Sequence, residues 1–306
     1  MNETSTQHAR VRELEHVKEI TANERYYFGY QYGLGAEHIV PYLRSKGVTF
    51  AHKNICEIGC GEGGVLAALA DEGAAYAFGI DIRQEAIDRA EIIFRALFPT
   101  PKEGGGASPT MQGAVRWDFR IHDVTNQPTP PEWREQFHFV TLRDVIEHLE
   151  DTEGSLRHVM EFLHPGGYLY IVFPPYYSPF GGHQHLLKNR PGKLPFLQFL
   201  PDALFRPLIK SGRLGDIEEV MRLRKIRLTI GNFRRAVKNV GLEIIDEELY
   251  FLRPVFKFKF KFGLPVFKFK FKFGLPAIKI NALRRMPGIR EVAAFEAGYL
   301  LRKPNA

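Results

Sequence analysis

Through the first 175 residues the apolar positions switch repeatedly between short continuous runs and stripes of helical period. The runs Asn54–Ile58, Tyr76–Ile80, Val115–Ile121, Phe137–Leu142 and Tyr168–Phe173 have the length and composition of buried strands. Between them, Ala86, Ile87, Ala90, Ile93, Phe94 and Leu97 recur at helical spacing, predicting a helix over Gln84–Leu97 with one apolar face. A second helix should open from the glycine cluster at 59–64 and run to about Glu72, and Ala22–Leu43 reads as a Tyr-rich helical entry. Pro99–Gly113 has the composition of a loop. Strands alternating with helices predict an α/β fold with a doubly wound, mostly parallel sheet.

Beyond Pro174 the pattern changes. Residues 175–228 form a Pro- and aromatic-containing insertion, Thr229–Val240 reads as a helix ending at Gly241, and Leu242–Leu252 and Ala293–Arg302 read as further strands. Between those strands PVFKFKFKFGL occurs at 254–264 and again, unchanged, at 265–275. Two copies are too few for a solenoid, so this is a local duplication. As strands, each copy would carry Phe on one face and Lys on the other, and the pair could close as a hairpin around Gly263, Leu264, Pro265 and Val266. The expected organisation is a helical lid segment at 1–50, a core at 51–174, a cap at 175–228, and a return to the core at 229–306 carrying the repeat as an arm.

Charge sharpens that division. The chain of 306 residues carries a net +7, but residues 188–306 hold 26 Lys/Arg against 10 Asp/Glu, and residues 1–187 hold 16 against 25. The N-terminus alternates charges without the apolar core of a signal peptide, and no apolar run approaches the ~18 residues of a membrane span. The two cysteines, Cys56 and Cys60, can build neither a disulfide framework nor a zinc site alone. The expected location is the cytoplasm.

Candidate chemistry concentrates where the first strand ends. Asn54-Ile55-Cys56-Glu57-Ile58-Gly59-Cys60-Gly61-Glu62-Gly63-Gly64 joins a strand to a helix through glycines, which let the backbone turn sharply and let a ligand approach its N–H groups. This pattern fits a dinucleotide turn and an S-adenosylmethionine turn equally. Glu57 favours the second, because it would repel a pyrophosphate but can face the cationic end of a methionine moiety. Asp81, ending the next strand, can accept from ribose hydroxyls, and Asp123, after the third, from an adenine amino group.

These motifs, with Leu142-Arg143-Asp144-Val145-Ile146-Glu147-His148 after the fourth strand and His164-Pro165-Gly166-Gly167 before the fifth, make the chain resemble a class I S-adenosylmethionine-dependent methyltransferase of the broad type 11 or type 12 group. The resemblance covers about 20–175 by motif and 229–302 more loosely. It implies a Rossmann-like sheet of seven strands with the last antiparallel, and S-adenosylmethionine as cofactor. By position it assigns cofactor contacts to Glu57, Gly59, Gly61, Gly63, Asp81, Ile82, Asp123, Val124 and Asp144. Tyr27 or Tyr32 is expected near the methionine end.

Methyl transfer is an in-line displacement, so positioning dominates, and a base is needed only if the acceptor loses a proton. His183 and His185 follow the fifth strand and are the candidate bases. Phe173 precedes Pro174-Pro175-Tyr176 where amino-methylating nucleic-acid enzymes carry an Asp or Asn that accepts from the amine, which argues against base methylation and nucleic-acid partners. Asp144-x-x-Glu147-His148 is similar to the Glu-x-x-Glu-His of some ubiquinone-pathway O-methyltransferases, but is read without a metal, Glu147 and His148 capping the strand end. The expected activity is methylation of a small or carrier-linked acceptor, O-methylation favoured. The basic run Arg222–Arg227 could line a pocket for an anionic acceptor, and the Phe/Lys arm could make a peripheral membrane contact. An RNA or protein methyltransferase and a non-catalytic binding module are the alternatives.

Overall fold

All five apolar runs before Pro174 become strands. The computed structural model describes residues 10–99, 115–259 and 276–305. Its strands are β1 (Asn54–Ile58), β2 (Tyr76–Asp81), β3 (Arg116–Ile121), β4 (Phe137–Arg143), β5 (Leu163–Phe173), β6 (Glu243–Leu252), β7 (Ile278–Lys279) and β8 (Glu296–Arg302). They form one sheet in the order β3-β2-β1-β4-β5-β8-β6-β7. The helices are α1 (Ala22–Leu34), α2 (Val40–Ser45), α3 (Gly64–Ala70), α4 (Gln84–Leu97), α5 (Thr152–Phe162), α6 (Asp202–Ile209), α7 (Leu214–Ile226), α8 (Ile230–Val240), α9 (Phe256–Lys259) and α10 (Ile289–Ala293). By packing, the chain divides into two compact units: 10–142 with 158–169, and 143–157 with 170–304.

In the first unit β1 pairs in parallel with β2 and β4, and β2 with β3, with Asn54 opposite Tyr76 and Cys56 opposite both Phe78 and Val140. The six-residue stripe predicted for α4 is buried in full. α3 is buried on every side, which suits its sequence GVLAALA. α1 lies close against it, because a Cβ at Gly64 would come 2.6 Å from Gln31 Cβ and 2.8 Å from the Phe28 carbonyl. α1 starts with a capping box, Thr21 and Glu24 each bonding the other's backbone N–H. The expected single helix to Leu43 is interrupted at Gly35–Ile39 by a π turn, in which the Val40 N–H reaches the Gly35 carbonyl. Pro41, which cannot donate to a carbonyl four residues back, follows at once.

In the second unit β6 pairs antiparallel with β8 and with β7. The expected count of seven strands is therefore corrected to eight. β7 is two residues long and carries no periodicity to read. The cap region has a core of its own, Leu187, Leu197, Phe205, Ile209 and Val220. Thr229 caps α8 through its side chain, and Gly241, at φ 80°, ends it as predicted. One expectation is reversed: the start of the repeat, Phe256–Lys259, is helical (α9), not extended. Four residues of strict Phe/Lys alternation cannot enforce a strand where the chain turns through Pro254 and Val255, whose carbonyls accept from Lys257 and Phe258. The proposed hairpin pairing at 260–275 and the loop at 100–114 lie outside the described residues. Among the described residues no helix is long and apolar enough to cross a membrane.

Candidate functional site

Where β1 ends, the chain turns through Gly59, Gly61 and Gly63, with φ of 70°, 53° and 76°. This left-handed region is costly for residues with a Cβ. Two of these glycines serve different ends. A Cβ at Gly63 would come 2.7 Å from the Phe94 ring, whereas one at Gly61 would meet nothing within 4 Å. Gly63 is demanded by packing; Gly61, itself buried, leaves an open cradle where a Cβ would stand.

The carboxylates around this turn are already engaged. Glu57, buried on β1, accepts from the Leu66 N–H (2.8 Å) in the first turn of α3, where a negative charge is favoured. Asp81, buried at the end of β2, accepts from the Gly61 N–H (3.1 Å) and the Arg83 N–H (3.0 Å) and forms an ion pair with the Arg83 guanidinium. Ile82 beside it is 65% exposed. Asp123 closes a turn by accepting from the Thr125 N–H (2.9 Å) and the Asn126 side chain (2.8 Å). Burial opposes its charge, but those donors outweigh it and hold its pKa below the usual range. Val124 is buried and its carbonyl bonds His158 Nδ1 at 2.7 Å. Cys56 and Cys60 are free and buried, their thiols pushed up by burial and by Glu57, so they are inert at neutral pH. Tyr32 is buried and donates to Asp71 (2.6 Å), which makes it a packing residue; Tyr27 is exposed and meets the exposed Tyr26 edge-on and the buried Tyr30 at a tilt.

The second unit carries a different constellation. Asp144, at φ 56°, is held by Arg253 and by Arg143 (2.7 Å), and these arginines override burial to bring its pKa down to about 2. Arg253 in turn binds the buried Glu296 (2.8 Å). Three residues on, Glu147 is buried, and neither of its carboxylate oxygens has a hydrogen-bond partner among the described residues. Burial pushes it up and Asp144 adds to this, against the pull of His148, leaving it raised to about 7. His148 Nε2 lies 3.6 Å from Glu147, and its Nδ1 meets the Glu219 carboxylate, itself bound by Arg222 (2.6 Å). Glu219 is ionised, brought down to about 2 against burial by His148 and Arg222, and can only accept, so that Nδ1 carries a proton. The His183 ring centroid is 5.1 Å from that of His148. Burial and the neighbouring histidines depress His183 to about 3.

Two expectations therefore change. Glu147 and His148 do not cap the strand end, since the first has no hydrogen-bond partner for its carboxylate among the described residues and the second is spent on Glu219. The set Asp144, Glu147, His148 is not what gathers; Glu147, His148 and His183 bring one ligand atom each within 4.8 Å of one another. His185 stays outside this set, exposed, with its ring 5.8 Å from His183. Glu147 as a candidate base was missed by sequence reasoning, because its isolation depends on walls supplied by residues far along the chain. Nearby in sequence to these groups, a cleft of about 460 Å³ is lined by Tyr176, Tyr177, Phe199, Arg224 and Arg227, among others. Arg224 is buried and spent on Asp202 and the carbonyls of Gln198 and Leu200, while Arg227 is exposed.

A model of the methyltransferase domain matches residues 35–247. The chain is 24% identical over 124 residues to the ubiquinone biosynthesis O-methyltransferase of Marinobacter nauticus, covering 40% of this chain and 45% of that one. It is 24% identical over 159 residues to the same-named protein of Pseudomonas putida, covering 50% and 60%. The chain thus spans about half the length of the curated relatives it matches. Its fold is similar to that of a candidate sarcosine dimethylglycine methyltransferase from Galdieria sulphuraria, at 14% identity and a TM-score of 0.53, covering 88% and 85%. A family match over more than half the chain, joined to a glycine turn open at Gly61 and ringed by carboxylates, decides the matter: the chain belongs to the class I methyltransferases that use S-adenosylmethionine as cofactor.

Proposed function

We propose that the protein methylates an oxygen of a small, anionic molecule, with Glu147 receiving the hydroxyl proton. The observation that carries this is Glu147 itself, a buried carboxylate without a hydrogen-bond partner among the described residues, raised to about 7 and so able to exchange a proton near neutral pH. His183, neutral at that pH, is the neighbour that can donate to or accept from the acceptor oxygen; His185 is the weaker candidate. His148, fixed by Glu219, orients the pair. The cleft beside Tyr176 and Tyr177 has the volume of a small-molecule site, and Arg227 gives it a cation. The ubiquinone-pathway names of the relatives support an oxygen acceptor.

For the donor, the open cradle at Gly61 suits close approach of a ligand, with Glu57 toward a cationic methionine end, Asp81 toward ribose hydroxyls, and Ile82, Asp123 and Val124 toward adenine. Gly59 and Gly63 shape that turn. Asp81 has lone pairs beyond those used by Gly61 and Arg83. Asp144, neutralised by two arginines, shapes the strand end instead of offering a free carboxylate. Bound S-adenosylmethionine supplies an electrophilic methyl on a sulfonium. With such a donor bound, Glu147 would take the proton that the acceptor hydroxyl loses on methylation.

The acceptor is identified by incubating a metabolite extract with the protein and methyl-labelled donor and reading labelled products by mass spectrometry. With it, Glu147→Gln should lower kcat by roughly 10²–10⁴-fold while leaving donor affinity by calorimetry unchanged. Unchanged kcat would remove Glu147 as base. Loss of activity in chelator, restored by Mg²⁺ or Zn²⁺, would assign Glu147, His148 and His183 to a metal instead.

A further inference from the structure

Residues 188–214 of the cap combine two features that, Phe199 in the cleft lining aside, the proposed methyl transfer does not use. Five large apolar side chains stand out of this stretch: Leu194, Phe196, Phe199, Leu204 and Leu214, the last three 52%, 58% and 74% exposed. Six cations, Lys188, Arg190, Lys193, Arg206, Lys210 and Arg213, are exposed alongside them, against one acid, Asp202. Such rings and aliphatic groups in water are costly unless something covers them.

The display rests on a built platform. Phe205 and Ile209 on α6 turn inward to the small core with Leu187, Leu197 and Val220, which turns Arg206 and Lys210 outward. Phe196 is held at φ 63°, a conformation bulky residues seldom take, by its N–H on the Pro179 carbonyl (2.7 Å), and its ring lies 5.9 Å from that of Phe199. Gln184 and Gln198 are buried and bonded to each other (3.1 Å) behind this loop, and Asn189 ties its start to the Leu208 carbonyl (3.0 Å).

We propose that this face docks on an anionic lipid surface. Leu194, Phe196 and Leu204 enter the boundary between headgroups and acyl chains, and the surrounding Lys and Arg meet lipid phosphates. Mixed aromatic and cationic exposure on one short stretch is the chemistry such a boundary recognises: the apolar groups leave water, and the long cationic side chains keep their charge at headgroup level. A second protein would more often meet this face with acidic side chains at a drier, uncharged centre. The membrane contact that the sequence allows for the Phe/Lys arm falls mostly outside the described residues, and the proposal concerns the cap.

The full chain is tested by co-sedimentation with phosphatidylcholine vesicles with and without phosphatidylglycerol. Wild type should pellet only with the anionic vesicles and be released by salt. Phe196→Ser with Leu204→Ser should weaken binding at least roughly tenfold, as should Lys193→Glu with Lys210→Glu. Donor affinity by calorimetry, which these changes leave intact, certifies that each variant is folded. Deleting residues 265–275 should leave binding within about twofold of wild type. The proposal is overturned if wild type ignores anionic vesicles, if binding survives both cap variants, if it disappears with the repeat, or if the cap variants dissolve a lipid-independent dimer.

Discussion

The glycine turn after β1 and the acid and histidine cluster after β4 both arise where a strand ends, yet they are built in opposite ways. The first is local: Glu57 to Asp81 lie within one strand, helix, strand segment, and the backbone does most of the work through positive φ and N–H groups. The second is assembled from distant pieces: Asp144 and Glu147 with His183, Glu219, Arg253 and Glu296, held by side-chain charge. A site made from backbone conformation leaves its mark in the sequence as glycine at fixed spacing. One made from side-chain charge leaves only residues whose meaning depends on what packs over them.

The largest test of that contrast is Arg253. It bridges Asp144 and the buried Glu296, and Arg253→Met would leave Glu296 buried without its counter-charge and Asp144 with Arg143 alone. Urea unfolding should show a loss of about 3–5 kcal/mol. A loss below ~1 kcal/mol would mean that charge does not hold this region together.

Next comes a pair within the turn. Gly63→Ala must accept both a left-handed backbone and a Cβ 2.7 Å from Phe94, and should cost about 2–4 kcal/mol of stability. Gly61→Ala has the same backbone problem but open space, and should cost about 1–2 kcal/mol. Its larger effect should be on donor affinity, since the added methyl fills the cradle. Equal stability losses with unchanged affinity at Gly61 would erase the distinction drawn between the two glycines.

The same contrast explains what could be read from the sequence. The buried face of α4 was legible residue by residue, because helical periodicity is a local property. So were the glycine turn and the helix ending at Gly241. β7 was not, being two residues whose strand character comes wholly from pairing with Tyr250 and Leu252. The Phe/Lys alternation misled at Phe256–Lys259, where a turn through Pro254 overrides a period of two. Glu147 was read as a cap because sequence spacing shows which groups are near along the chain, not which donors are missing around them.

The most discriminating effect is in pH, because one carboxyl from each region, Asp123 and Glu147, should answer it with opposite signs. Asp123, in the first unit, has a depressed pKa, so its contribution is present above its unfolded value of about 3.9 and lost as pH falls. Glu147, in the second, is raised to about 7, so its protonated form contributes below its unfolded value of about 4.3, and that contribution fades as pH rises to about 7. His183, depressed to about 3, acts against Glu147 in the same unit, losing its contribution as pH drops below about 6.5. The curve to measure is therefore the difference between wild type and Glu147→Gln, which cancels the His183 contribution to the extent that it is independent of Glu147. Between pH about 4.5 and 7 the wild type should lose on the order of 1–3 kcal/mol relative to the variant. Asp123→Asn should show wild type losing ground in the acid direction instead. A flat Glu147→Gln difference across that window would mean the carboxyl titrates normally, and the base assigned to the cluster would have to be sought at His183.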